Sequence, residues 1–134
     1  KTKDNPVFYV QYAYARINSL FRTLNTGFVK KIEINEIDFD LNEMEEKIIR
    51  KVFEWPKIVD SASRKFDLHK IPFYLYELST LFHAYWSKGN EDKNYKFIEK
   101  EQIKRKEILF IINLVALVLQ NGMGILGVSL PKKM

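Results

Sequence analysis

The chain has 134 residues, of which 46% are hydrophobic and 29% charged, and its formal net charge is +5. This length and apolar share predict that residues 1–134 form one domain with a hydrophobic core. The absence of cysteine excludes a disulfide scaffold, a thiol nucleophile and cysteine-ligated zinc, and two histidines leave little for imidazole chemistry.

The first predicted element is a helix that begins at Asn5 and Pro6, where asparagine caps and proline suits the first turn. Apolar side chains then recur at steps of three and four residues, the spacing of one helical stripe, and Gly27 is a natural stop. This stripe is predicted to pack against the rest of the chain, and it consists of Val7, Val10, Tyr14, Ile17, Phe21 and Leu24.

A second face of this helix carries Tyr9, Tyr12 and Arg16, well away from the packing stripe and free to bind. Tyr85, Trp86 and Lys88 form a similar group near the end of a later helix. Bases of single-stranded RNA loops stack on aromatic rings, while arginine and lysine meet phosphates or base edges. Both groups are therefore candidate RNA-binding surfaces, and the alternative is that the rings are amphipathic edges of the core.

The middle of the chain is predicted to hold a loop and then a short helix. Residues 28–41 alternate only loosely between apolar and charged side chains, which favours an irregular loop with a few buried anchors. Asn42 and Glu45 have the spacing of a capping box and predict a helix through Glu54. Pro56 ends it, because the residue before a proline disfavours the helical region.

Three further helices are predicted in the remainder of the chain. They cover residues 56–66, 69–88 and 96–120, with a polar loop at 89–94 and a stop at Asn121 and Gly122. The second half of the last helix is apolar nearly all round, which predicts the central helix of the fold. The whole indicates an all-α, single-domain bundle of about five helices.

No pattern in the chain argues for catalysis. His83 lies in an aromatic stretch and is expected to be a packed ring, and no spacing of histidine and glutamate suits a metal. Ser61 and Ser63 have no nucleophile elbow around them. We therefore expect no catalytic residue, no metal site and no cofactor in this chain.

The chain begins with Lys1 rather than methionine, and we expect it to be a piece of a longer protein without a signal peptide. Its longest apolar run, at 108–119, is shorter than the ~20 residues that a membrane span needs. Neither a membrane nor DNA is an expected partner. The lack of cysteine agrees with a cytoplasmic location.

Four stretches carry a recognisable pattern: NPVFYVQYAYAR at 5–16, YLYELSTLFHAYW at 74–86, VLQNGMGILGV at 118–128 and PKKM at 131–134. In this order they resemble the C-terminal, DALR-type anticodon-binding domain of arginyl-tRNA synthetases. That family reads N-P-V-x-Y-V-Q-Y-A-H-A-R, Y-L-x-x-L-x-x-x-F-x-x-F-Y, L-x-N-G-x-x-L-L-G-I and P-x-x-M. The resemblance implies an all-α domain that receives the anticodon stem-loop of tRNA(Arg).

The resemblance also implies roles for individual residues. Tyr12 would stack on an unstacked anticodon base, and Arg16 would donate to a base edge or a phosphate. Trp86 would hold another flipped base, and Met134 would close the pocket with its side chain, backbone and terminal carboxylate. Together with the aromatic surfaces described above, the candidate RNA-binding set is Tyr9, Tyr12, Arg16, Tyr85, Trp86, Asn121 and Met134, although Asn121 suits a helix-ending turn better than a contact.

Three positions, Tyr14, Tyr85 and Trp86, depart from the family pattern, and one glycine has an expected structural role. Tyr85 stands where the family has phenylalanine. Tyr14 replaces the usual histidine on the packing stripe, so this change is expected to be structural. Trp86 replaces a tyrosine and lacks its hydroxyl. Gly127 is expected to permit the bend that brings Met134 back to the bundle.

The resemblance further implies a parent enzyme that joins arginine to tRNA with ATP and magnesium. Its class I H-I-G-H-like and K-M-S-K-S-like motifs would lie in an upstream catalytic domain of the same chain. The main alternative is a helical protein–protein interaction module without RNA specificity, whose apolar interface would be far less sensitive to salt. A small stand-alone helical enzyme is a third possibility, without a visible nucleophile, metal site or cofactor loop.

Overall fold

The computed structural model describes residues 5–25 and 40–134, which form five α-helices, a short 3-10 turn and a small β-hairpin. This confirms the all-α bundle. The predicted stop at Gly27 and nearly all of the loop predicted at 28–41 lie outside the described residues. The helices are α1 (Pro6–Thr23), α2 (Glu43–Phe53), α3 (Trp55–Lys65), α4 (Lys70–Glu91) and α5 (Lys106–Leu126).

The helices pack around α4 and α5, and both are contacted by α1 and α2. By length and composition alone α5 could cross a membrane, but 61% of its most apolar window is buried inside the fold. It is therefore the central core helix that the sequence predicted. The largest fully buried aliphatic side chains come from four helices: Ile17, Ile48, Ile71, Leu75, Leu78, Ile111, Ile112 and Leu119.

The predicted helix starts at Asn5 and Asn42 are confirmed by their capping contacts. Asn5 Oδ1 accepts hydrogen bonds from the backbone N–H groups of Val7 and Phe8, at 3.1 and 3.3 Å. Asn42 Oδ1 accepts from the backbone of Glu45 at 2.9 Å, while the Glu45 carboxylate accepts from the backbone of Asn42 at 3.0 Å. These reciprocal bonds satisfy donors that a helix N-terminus leaves without partners.

Tyr14 is a core residue, as its place on the packing stripe predicted. The side chain is buried, and its hydroxyl accepts a hydrogen bond from Gln120 Nε2 at 2.7 Å. This contact joins α1 to α5, so the tyrosine has a structural use at this position.

The predicted helix stop at Asn121 and Gly122 is wrong, because α5 continues to Leu126. A Cβ on Gly122 would lie 2.7 Å from both methyl carbons of Leu75. The glycine therefore serves the close approach of α5 to α4 rather than a turn. The helix ends at Gly127, which adopts a left-handed φ of 69°.

The predicted helix start at residue 96 is also wrong. A hairpin precedes α5, with strands β1 (Ile98–Glu99) and β2 (Gln102–Ile103) paired antiparallel. The two turn residues, Lys100 and Glu101, have positive φ values of 52° and 62°, as a tight two-residue hairpin turn requires.

The aromatic side chain before the hairpin explains this departure from the predicted helix. Phe97 is buried, with its ring centroid 4.4 Å from that of Tyr85 and 5.5 Å from that of Trp86. Burial of this ring against α4 favours an extended path over a longer helix.

An ionic network fastens the start of α5 to α2 and α4. The fully buried Glu45 carboxylate accepts two hydrogen bonds from Arg105, at 2.8 and 3.0 Å, and a third from the Tyr85 hydroxyl. Burial, together with the Glu45 carboxylate, raises the pKa of Tyr85 far above its usual value. The tyrosine therefore stays protonated and acts as a donor.

Candidate nucleic-acid interface

A cavity of about 350 Å³ opens between α1 and the C-terminal tail, residues 127–134. We call it the α1–tail pocket, and its functional lining is Tyr12, Arg16, Arg22, Lys133 and Met134. Three of these side chains are basic, and no aspartate or glutamate side chain is among the described residues that line it. The pocket therefore favours an anionic ligand.

The tail lies against α1 because side chains of that helix donate hydrogen bonds to backbone carbonyl oxygens of the tail. After the turn at Gly127, Gln11 Nε2 donates to the carbonyl oxygen of Ser129 at 2.9 Å. Arg22 Nη1 donates to the carbonyl oxygen of Lys132 at 3.1 Å. These bonds bring Met134 to the pocket, where the residue is 54% exposed. The bend expected at Gly127 is therefore present.

Arg16 is held at the pocket by aromatic side chains from two helices. Its Nη2 donates to the Tyr12 hydroxyl at 3.3 Å, and its guanidinium carbon lies 5.0 Å from the Tyr12 ring centroid. The same carbon lies 5.2 Å from the ring centroid of Trp86 on α4. Cation–π attraction fixes the guanidinium between the two rings, so the structure brings Tyr12, Arg16 and Trp86 together.

His83 is a member of this cluster that sequence reasoning assigned only to packing. Its Nδ1 accepts from Arg16 Nη1 at 3.4 Å, and its ring lies 4.5 Å from the Tyr9 ring and 5.7 Å from the Tyr12 ring. Burial lowers the pKa of His83 to about 4; a backbone contact with Tyr9 opposes this shift, and the positive charge of Arg16 adds to it. The available signal was its place one helical turn before Trp86 on the same face.

The second face of α1 is not free along its whole length, contrary to expectation. Tyr9 packs against α4, with its ring centroid 5.2 Å from that of Tyr76 and close to His83. Burial raises the pKa of Tyr9. Tyr12 remains 38% exposed, so the open part of this face begins there.

Tyr85 does not belong to an exposed surface, and this prediction is wrong. Its side chain is 1% exposed and its hydroxyl donates to Glu45. Successive helical residues point about 100° apart, so Tyr85 faces the core while Trp86 faces Arg16. In this structure the Tyr85 ring is not accessible to a ligand.

Asn121 lies at a different place from the α1–tail pocket. It is exposed on α5 and lines a separate, shallow cavity with Trp55 and Pro56 of α3. The structure therefore does not group Asn121 with Arg16 and Met134.

The geometry defines a helical domain with a basic, aromatic-lined pocket, and comparison with known proteins gives its family. The family model of the DALR anticodon binding domain matches residues 10–134, so the chain belongs to this family. No group of three histidine, aspartate or glutamate side chains suited to a metal ion occurs in the part of the chain that the structure describes.

Similar proteins carry the names of arginine–tRNA ligases. The chain is 42% identical over its full length to an arginine–tRNA ligase of Pelagibacter ubique, of which it covers 23%. It is 36% identical to that of Rhizobium meliloti, again over the full chain and 24% of the relative. A crystal structure of a Campylobacter jejuni protein assigned as an arginyl-tRNA synthetase matches with a TM-score of 0.75 and 25% identity. That match covers 97% of this chain and 27% of the other. The chain thus spans about a quarter of the length of its relatives.

Proposed function

We propose that this chain is the anticodon-binding part of an arginine–tRNA ligase and that the α1–tail pocket receives the anticodon loop of tRNA(Arg). The observation that carries the proposal is the arginine fixed between two aromatic rings beside a basic pocket. Family membership and the names of the relatives support it.

In this proposal the pocket reads an unstacked base by its ring face and its edge. The exposed part of the Tyr12 ring gives a stacking surface, and Met134 covers the opposite side. Arg16 has five N–H groups; within the described residues, hydrogen bonds engage one on each Nη nitrogen. The remaining donors can meet a base carbonyl or a phosphate.

The proposed base is the central cytosine of the anticodon. All arginine codons have a central guanine, so all arginine anticodons share a central cytosine. An arginine donor suits the carbonyl oxygen that cytosine shares with uracil. An acceptor for the cytosine amino group distinguishes the two bases, and the Met134 backbone at the pocket is the candidate for it. Arg22 and Lys133 add positive charge that suits the neighbouring phosphates.

The catalytic steps of the proposed enzyme belong to the rest of its chain. We propose that ATP and magnesium bind in an upstream catalytic domain, which is also a partner of this domain, and that the protein acts in the cytoplasm. The residues described here serve recognition.

The test is titration of the 134-residue chain with an arginine anticodon stem-loop and with the same stem-loop carrying uracil at the central position. We expect tighter binding of the cytosine form, and an affinity that falls steeply with salt concentration because phosphates are contacted. Equal affinity for both would contradict base reading and leave a phosphate-holding surface. Absence of binding to either would contradict the proposal for this chain.

A further inference from the structure

We propose that His83 is a positioning residue, which holds the Arg16 guanidinium in the orientation used to read RNA. This inference rests on the function proposed above. His83 itself need not touch the RNA, since it is 9% exposed and lies beneath Tyr9, Tyr12 and Arg16.

The contact between Arg16 and His83 fixes the protonation of the imidazole. A guanidinium can only donate, so His83 Nδ1, 3.4 Å from Arg16 Nη1, must be unprotonated. The single ring proton therefore sits on Nε2. A second cation at this place would repel Arg16, and the lowered pKa of about 4 keeps His83 neutral at pH 7.

The ring of His83 is itself held in place from two sides. The ring centroid of Tyr9 on α1 lies 4.5 Å from that of His83, and the ring of Phe82 on α4 lies edge-on with its centroid 5.8 Å away. Among the described residues, the titratable or charged side chains in contact with the imidazole are Tyr9, Tyr12 and Arg16, all on α1. His83 Nδ1 and the Tyr12 hydroxyl thus engage the two Nη atoms of Arg16 separately and fix the plane of the guanidinium.

The other ring nitrogen argues against a role in packing alone. Nε2 of His83 is buried and makes no well-formed hydrogen bond with any described residue, and a backbone contact with Tyr9 offsets the pKa-lowering effect of burial only in part. A buried N–H without a well-formed partner lowers stability, and a phenylalanine ring at this position would avoid most of that cost. A histidine is therefore useful here for its Nδ1 acceptor, because a pre-oriented arginine loses less freedom when it binds.

The experiment compares His83→Phe, which removes the acceptor, with His83→Asn, whose side-chain oxygen can lie near the position of Nδ1. Each is made in the wild-type and in the Arg16→Ala background, and stem-loop affinity and melting temperature are measured. We expect His83→Phe to weaken binding about fivefold to tenfold without lowering the melting temperature, since one charge-assisted hydrogen bond is lost. His83→Asn should recover most of that affinity.

The double variant separates positioning from general structure. With Arg16→Ala present, His83→Phe should change affinity less than about twofold, because the two residues act as one unit. Equal losses in both backgrounds, or no loss from His83→Phe in the wild type, would overturn the proposal.

Nitrogen NMR of the free protein tests the contact without RNA. We expect the proton on Nε2 at pH 7 and a shift of the Nδ1 resonance on Arg16→Ala. A proton on Nδ1 would overturn the positioning role even if RNA binds normally. If the tautomer is as expected but no stem-loop binds, the proposed function fails while the contact stands, and a role for His83 in RNA reading fails with it.

Discussion

Arg16 is held by several groups at once, because two rings, a hydroxyl and an imidazole nitrogen contact one guanidinium. Planar stacking and a fork of donors are properties that lysine lacks, so the position is specific for arginine. The residues that fix it come from α1 and α4, which makes its orientation dependent on how these two helices pack.

Replacement of Arg16 tests the centre of the proposed site. Arg16→Ala should weaken stem-loop binding by about tenfold or more, because charge-assisted contacts are lost. The melting temperature should change little, since Arg16 lies outside the aliphatic core. Arg64→Ala is the matched control, because Arg64 is an exposed arginine of α3 paired with Asp60. A similar loss of affinity in the control would mean that only overall charge matters.

The buried imidazole of His83 predicts a pH dependence of stability. Its pKa is about 4 in the folded protein and 6.5 for the free side chain, so the unfolded chain binds the proton more readily. The corresponding stability is present above pH 6.5 and is lost as the pH falls towards 4. Between pH 7 and pH 5 this protonation lowers the free energy of unfolding by about 2 kcal/mol.

Urea unfolding of the wild type and of His83→Phe at both pH values measures this contribution. The variant should lose less stability on acidification, while the carboxylates respond alike in both proteins. Identical pH dependence of the two proteins would show that His83 does not titrate as described.

At the scale of elements, the close approach of α5 to α4 requires a glycine at position 122, whereas packing does not require one at position 124. Gly122→Ala should destabilise the fold by about 1–3 kcal/mol, because Leu75 must move to admit the methyl group. Gly124→Ala is the control: among the described residues, no atom beyond the local backbone of α5 and the two chain neighbours lies within 4 Å of the added carbon. That change should stabilise α5 by up to about 1 kcal/mol. Urea unfolding measures both, and equal effects would contradict the packing role of Gly122.

The sequence predicted helix starts better than helix ends. Capping residues such as Asn5 and Asn42 act on their own local backbone, so their effect is visible in the sequence. In the sequence Asn121 and Gly122 look like a turn. Gly122 is instead required by the packing of α5 against Leu75, which is a tertiary contact that the local sequence does not show. The hairpin escaped prediction because each strand has only two residues, and burial of Phe97 against α4 determines the path there.

At the scale of the whole molecule, the α1–tail pocket is lined by residues from the first helix and from the C-terminal tail. Resemblance to a family indicated Tyr12, Arg16 and Met134 correctly as neighbours, although their contact with RNA stays a prediction. His83 could not be assigned to the site, because its place there depends on the packing of α4 against α1. The exposure of Tyr85 was predicted wrongly because Tyr85 was assigned to the same helical face as Trp86, although adjacent residues of a helix point in different directions.

Truncation of the tail tests the pocket as a unit. Removal of Lys133 and Met134 should weaken stem-loop binding, because a cation and the cover of the pocket are lost. Helix content by circular dichroism should not change, since both residues lie beyond α5. Lys132 remains in this variant, so its bond to Arg22 is kept. An unaffected binding curve would contradict a role for the end of the tail.

The bonds that fasten the tail have a consequence for how this protein can vary. The side chains of Gln11 and Arg22 donate hydrogen bonds to the backbone carbonyl oxygens of Ser129 and Lys132, and every amino acid supplies such an oxygen. The side chains of Ser129 and Lys132 can therefore drift during evolution without altering the route of the tail, whereas Gln11 and Arg22 cannot be exchanged so freely. Besides the turn at Gly127 and the packing of Val128 and Leu130 on the core, the tail's course is thus encoded in the first helix, more than a hundred residues away along the chain.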